Sequence, residues 1–210
     1  MMEKFIVSRD DGIYHAFPDL VKADENHLLC VFLECIAHTE RFHSRVMITE
    51  SFDRGRSWLP KRPVSEPGNG WNCPRITRLS SGEIIVICDR GAGERRMDRR
   101  FLFLWVGNDN EKTFSDAIEL PIPGFVPDKL LELDGRWLIA NQRYRDDGYL
   151  EQTLYISYDR GKTWSEPVIV GSKRGLNLCE ASIISLPSGE LVAFMRENSR
   201  MGWACFKSIS

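Results

Sequence analysis

The stretch Ser51-Phe52-Asp53-Arg54-Gly55-Arg56-Ser57-Trp58 returns almost letter for letter as Ser157-Tyr158-Asp159-Arg160-Gly161-Lys162-Thr163-Trp164, displaced by 106 residues. Near the midpoint lies Gly107-Asn108-Asp109-Asn110-Glu111-Lys112-Thr113-Phe114, a degenerate third copy that keeps the Asp and the Thr and replaces Trp by Phe. The octet has a structural logic. Ser and Asp side chains bond the backbone of their own turn, Gly supplies a positive φ, and the aromatic ring wedges between neighbouring sheets. Asp53, Asp109 and Asp159 are therefore read as builders of a turn and not as catalysts.

A second column carries the same period. The turns Asn26-His27, Ser81-Gly82-Glu83, Asp134-Gly135-Arg136 and Ser188-Gly189-Glu190 are spaced by 56, 53 and 54 residues, and a short apolar run rich in β-branched or aromatic residues follows each. No stretch shows helical periodicity. A period of about 40 to 55 residues built of short strands and a fixed turn predicts an all-β propeller of four-stranded antiparallel blades. Four repeats fit, over roughly 14 to 58, 70 to 114, 124 to 164 and 178 to 210. In a meander alternate turns lie at opposite ends. The octets and Gly turns then share one face, and the starts of the first strands share the other with the loops between second and third strands.

Composition excludes several function classes. The chain has 210 residues, 28% charged and 42% hydrophobic, with a net charge of −2, which gives no field to draw it to nucleic acid or an anionic membrane. Its longest apolar run, Phe101 to Val106, has six residues, far below the roughly 20 of a spanning helix, so no membrane insertion is expected. Met1 to Lys4 open no long apolar stretch, so a leader segment is not expected, and the six cysteines form no Cys-x-x-Cys pair. They read as reduced packing residues of a cytoplasmic protein. The four histidines fall in no zinc-like spacing with them, so neither a metal nor a cofactor is expected.

Ligand-facing residues should collect opposite the octets. The second strands end on Leu33/Glu34, Asp89/Arg90, Gln142/Arg143 and Arg196/Glu197, all at one repeat position. The first strands begin with Phe17-Pro18-Asp19, Cys73-Pro74-Arg75, Val126-Pro127-Asp128 and Glu180-Ala181-Ser182, three with proline at the same place. Asp19, Arg75, Asp89, Arg90, Asp128, Gln142, Glu180 and Arg196 thus ring one mouth as candidate substrate contacts. An ion-pair network holding the blades together is the alternative reading of the same charges. The mixed run Glu94 to Arg100, between second and third strands of the second repeat, reads either as a solvated loop or as a contact for an acidic glycan.

The octet resembles the Asp box, or BNR repeat, of the sialidase (neuraminidase) superfamily, and the resemblance covers all four repeats. It implies a six-bladed propeller of which about four blades are present. On that expectation the chain is a fragment, inactive and prone to aggregate alone, with a tyrosine nucleophile and a third arginine lying beyond Ser210. Glu180 and Arg196, separated by 16 residues across the Leu186-Pro187-Ser188-Gly189 turn, are similar to a family pair. The resemblance makes Arg196 one of three arginines gripping the sialic acid carboxylate, and Glu180 the base for the tyrosine. The first repeat departs from the pattern, reading Ala16-Phe17-Pro18 where the family has Arg-Ile-Pro, with His15 or Arg75 left to compensate. The family's acid/base aspartate falls at Glu40, with His38 close by, and either could donate a proton to the leaving oxygen.

Together these readings predict a sialidase-like glycoside hydrolase, exo-acting on sialic acid or a related acidic sugar. The alternatives are a non-catalytic glycan-binding propeller and another carbohydrate-active enzyme on the same scaffold, such as a lyase or a hydrolase of uronic acid-containing glycans.

Overall fold

A computed structural model describes residues 3–39, 43–68, 70–91, 100–108 and 112–210. These residues contain no helix, and so none long and apolar enough to cross a membrane. They form sixteen strands in four antiparallel sheets, which are the blades of a β-propeller. Blade one comprises β1 (Tyr14–Lys22), β2 (Leu28–Cys35), β3 (Arg45–Ser51) and β4 (Arg62–Pro63). Blade two comprises β5 (Trp71–Arg78), β6 (Ile84–Gly91) and β7 (Arg100–Asn108), with β8 (Thr113–Phe114) and β9 (Ile118–Pro123) both pairing β7. Blade three is β10 (Leu131–Leu133), β11 (Arg136–Tyr144), β12 (Leu150–Ser157) and β13 (Val168–Gly171). Blade four shows three strands, β14 (Leu178–Ser185), β15 (Leu191–Glu197) and β16 (Phe206–Ile209).

The outer strands β4, β9 and β13 follow the octets, past residues 58, 114 and 164 where the sequence repeats were drawn. Their shortness explains the difference: an edge strand of two to six residues has little alternation to read.

Each octet closes on itself. Asp53 Oδ1 accepts from Ser51 Oγ and Ser57 N, both at 2.8 Å, and its Oδ2 accepts from Ser57 Oγ at 2.6 Å. Asp159 repeats this with Ser157 and Thr163 at the same distances. Trp58 and Trp164 each donate their ring N–H to the glycine carbonyl of the turn at 3.1 Å. Glycine is required in the second copy: φ is +83°, and a Cβ on Gly161 would come within 2.9 Å of the Trp137 ring. Asp109 lies outside the described residues.

Hydrogen bonds, led by the Ser57 and Thr163 hydroxyls, hold the Asp53 and Asp159 carboxyls down at about 2. A carboxyl depressed from about 3.9 in the unfolded chain contributes stability that is present above that value and lost as pH falls toward 2. The thermal midpoint should therefore fall between about pH 4 and pH 2, and less steeply for a double Asp53→Asn, Asp159→Asn variant. Parallel curves for the two proteins would exclude the octets as the source.

The core is a series of slabs between successive blades. Leu29, Val31, Leu33, Val46 and Ile48 of blade one meet Trp71, Ile76, Ile84, Val86 and Trp105 of blade two. Ile85, Ile87, Leu102, Leu104 and Ile122 then meet Leu130, Trp137, Ile139 and Tyr155 of blade three. Leu138, Ala140 and Leu154 meet Ile183 and Leu191 of blade four. Both faces of the middle blades are thus buried, which is why β6 reads as a continuous apolar run. All six cysteines are free thiols, five of them buried and Cys205 exposed.

Candidate functional site

The first strands start with an irregularity. In β1, β5 and β14 the register slips between Ala16 and Asp19, Asn72 and Arg75, and Cys179 and Ser182. Within each slip one residue is left-handed: Phe17 (φ 52°), Cys73 (47°) and Glu180 (53°), with Val126 (49°) at the equivalent place in blade three. Positive φ costs a β-branched residue such as valine most, so the backbone there must be held from outside.

The neighbouring blade does the holding. Val126 N donates to Asp89 Oδ1 at 2.9 Å, and Glu180 N donates to Gln142 Oε1 at 2.8 Å, so two residues of one repeat column fix the left-handed residue of the next blade. A second column works three residues further on. Asp19 Oδ2 accepts from Ile76 N at 2.9 Å, and Asp128 Oδ2 accepts from Ile183 N at 2.7 Å. In blade three Gln152 adds another clasp, accepting from Ala181 N at 3.0 Å and donating to Leu178 O at 2.8 Å.

Each column has an arginine that cannot accept. Arg196 stands where Asp89 and Gln142 stand, and Arg75 where Asp19 and Asp128 stand. Both arginines open onto one mouth instead. That mouth is two adjoining cavities, of about 370 and 440 Å³, sharing Phe17, Arg75, Val126 and Glu180. The first adds Asp19, Asp128, Lys129 and Ser182; the second adds His38, Asn72, Arg100, Phe125 and Arg196.

The sequence-predicted residues divide accordingly. Glu180 and Arg196 meet as a pair, Arg196 Nη1 lying 3.2 and 3.1 Å from the two carboxylate oxygens, with Nη2 donating to Asn198 Oδ1 at 3.0 Å. The Glu180 carboxylate pushes the Arg196 pKa up, so the arginine stays charged. Their side chains are 47% and 54% exposed. Such an open pair contributes about 0–1 kcal/mol, so an incoming anion can take Arg196 at small cost.

Asp19 and Lys129 join blade one to blade three at 3.0 Å, and Lys129 also donates to Leu20 O at 2.8 Å. Burial raises the Asp128 pKa against the hydrogen bonds made to it. His38 lines the mouth, with Tyr14 Oη 3.3 Å from its Nδ1 and the Phe17 ring at 5.6 Å. Glu40 lies outside the described residues.

Other candidates are turned away. Asp89 is fully buried, and besides Val126 N it accepts from Asn72 Nδ2 at 3.0 Å and pairs with Arg100 at 3.0 Å. Gln142 is buried in its clasp, and Arg90 lies over the Trp71 ring at 4.6 Å. Ala16 packs in the core between the first two blades. His15 packs against Phe32 with the rings tilted at 46° and borders a separate apolar cavity with Ile6, Val7 and Cys30, so it does not stand in for an arginine at the mouth. Its Nε2 lies 3.4 Å from Asp10 and from Glu34, a group of possible metal-ligand type, but the Lys61 ammonium is bonded to both carboxylates.

Arg100 closes the mixed run Glu94 to Arg100, the rest of which lies outside the described residues. It lines the mouth, pairs with Asp89 and lies 5.6 Å from the Phe125 ring centre. The signal that could have found it was a buried acid, Asp89, on the adjoining strand. Together the mouth offers guanidinium groups, one exposed carboxylate, a histidine and apolar patches, a set able to hold an anionic polar molecule and move a proton.

No family model matches the chain. It is 27% identical over 131 residues to a sialidase of Paraclostridium sordellii, in an alignment covering 57% of this chain and 32% of that protein. It therefore spans about a third of the curated relative it matches. A Dyadobacter fermentans protein of unknown function superposes with a TM-score of 0.84 at 19% identity, covering 98% of this chain and 68% of that one. A Hadza microbial sialidase, Hz136, does so at 0.69 and 22%, covering 93% and 44%. The chain has the propeller fold that sialidases use.

Proposed function

We propose that the protein is a glycoside hydrolase of sialidase type, removing a terminal sialic acid or a related acidic sugar. The observation that carries this reading is the Glu180–Arg196 pair, exposed at the mouth, with Glu180 N held by Gln142 and the following Ala181 N held by Gln152. The likeness to two sialidases supports it.

In this reading Arg196 leaves Glu180 for the sugar carboxylate, a planar group its guanidinium can bind through two N–H donors. Glu180, freed of its partner, faces the anomeric region. There its negative charge stabilises the oxocarbenium character of the transition state and serves as base to a nucleophile. His38, which lines the mouth, would protonate the departing oxygen, with Glu40, two residues further along the sequence, as the other proposed donor. The described residues lining the mouth include no tyrosine, so the nucleophile is not among them.

Release of methylumbelliferone from its α-sialoside by the full-length protein tests the proposal. Arg196→Met should raise KM by about 10- to 100-fold, the loss of hydrogen bonds to a charged group. Binding of sialosides with no turnover would turn the reading to a glycan-binding propeller, and turnover of neutral glycosides alone would turn it to another glycosidase.

A further inference from the structure

Among the described residues four lysines and arginines border the mouth, and three have carboxylate partners. Arg196 pairs with Glu180 at 3.1 Å, Arg100 with Asp89 at 3.0 Å and Lys129 with Asp19 at 3.0 Å. Arg75 is the fourth. Among the described residues it has no carboxylate within 4.0 Å, and its one hydrogen bond is from Nη1 to the carbonyl of its neighbour Pro74 at 3.0 Å. It is half-buried, and it borders both cavities of the mouth beside Glu180.

A half-buried guanidinium whose hydrogen-bonding is mostly unspent is a poor structural element. Its positional equivalents Asp19 and Asp128 clasp the next blade, a task arginine cannot perform. With no acceptor at this place in the column, the guanidinium brings five N–H donors, of which one is spent on Pro74 O and four are left for a ligand. Asp128, which feels the Arg75 charge, accepts from Ile183 N, and burial raises its pKa.

We propose that Arg75 is an anion-selecting arm of the mouth, acting with Arg196, and that it recognises a carboxylate carried by the sugar. Carboxylate geometry suits guanidinium forks, and two arginines approaching one cavity from blades two and four can grip the group from different sides. The proposal rests on the mouth being a glycan site, and it adds which residue sets the preference for acidic over neutral sugars.

The test compares binding of methyl α-N-acetylneuraminide with that of its methyl ester, which keeps the shape and removes the charge, by calorimetry on the full-length protein. Methyl β-glucuronide and its ester form a second pair that separates sialic from uronic acids. Wild type should prefer one acid over its ester by about a hundredfold, and Arg75→Met should cut that preference about tenfold, leaving the share that Arg196 supplies, with the ester's affinity changed far less. Arg75→Lys, keeping a point charge without the fork, should recover part of the ratio, which a fold defect would not allow. An Arg75→Met ratio equal to wild type overturns the proposal. Equal wild-type affinity for acid and ester overturns it too while leaving the mouth a glycan site, whereas no binding of any of the four probes removes the functional reading itself.

Discussion

Replacing Glu180 with glutamine is expected to lower turnover of an aryl sialoside by about a thousandfold, within the range that loss of a positioned acid–base group produces. Shape is conserved in this variant. The backbone remains held, residue 180 N by Gln142 and Ala181 N by Gln152, and an amide oxygen still accepts from Arg196. What disappears is the negative charge. Since the pair is open to solvent, its contribution to folding is at most about 1 kcal/mol, and the thermal midpoint should move little. Affinity for a sialoside should stay within about fivefold of wild type or rise, because Arg196 no longer has a charged competitor. Turnover within tenfold of wild type would remove Glu180 from the chemistry.

The second large effect is on stability. Asp89→Ala should cost about 3–5 kcal/mol in urea unfolding, the range for breaking a buried ion pair from one side. Asp89 is fully buried, and its removal strands Arg100, which is 12% exposed, together with the Asn72 amide and the Val126 N–H. Asp89→Asn keeps an acceptor for Val126 but puts an NH2 donor where Oδ2 accepts from Arg100, so a cost below that of the alanine variant is expected, but not its removal. A cost below about 1 kcal/mol for the alanine variant would mean that the blades do not depend on this clasp.

Both predictions turn on a distinction that the sequence shows only in part. Repeat spacing makes the columns visible: residues 33, 89, 142 and 196 lie at one position, and 19, 75, 128 and 182 at another. Strand order, blade count and the face of the mouth follow from those columns because hydrophobic alternation and turn chemistry are local. Which members meet a ligand is not local. Asp89 and Gln142 are consumed by backbone N–H groups of the following blade, and that demand exists only because residues 126 and 180 are left-handed.

Acceptor against donor chemistry within a column was the usable signal, and it would have separated Asp89 and Gln142 from Arg196. His15 and Arg75 show the same limit differently. Side chains alternate across a strand, and the slip between Ala16 and Asp19 resets that parity, leaving His15 against Phe32 while Arg75 borders the mouth. Arg100 was hidden because its role depends on a partner brought in by strand pairing, eleven residues away in sequence.

The left-handed residues at the strand starts have a consequence for how such a site changes. Phe17, Cys73, Val126 and Glu180 are an aromatic, a thiol, an aliphatic and an acid, yet all adopt φ between 47° and 53°. For Val126 and Glu180 the clasp grips the main chain and leaves the side chain uncommitted, so these positions behave as sockets into which different chemistry can be fitted without redrawing the fold. Evolution, or a designer, can rewrite what the mouth prefers one socket at a time.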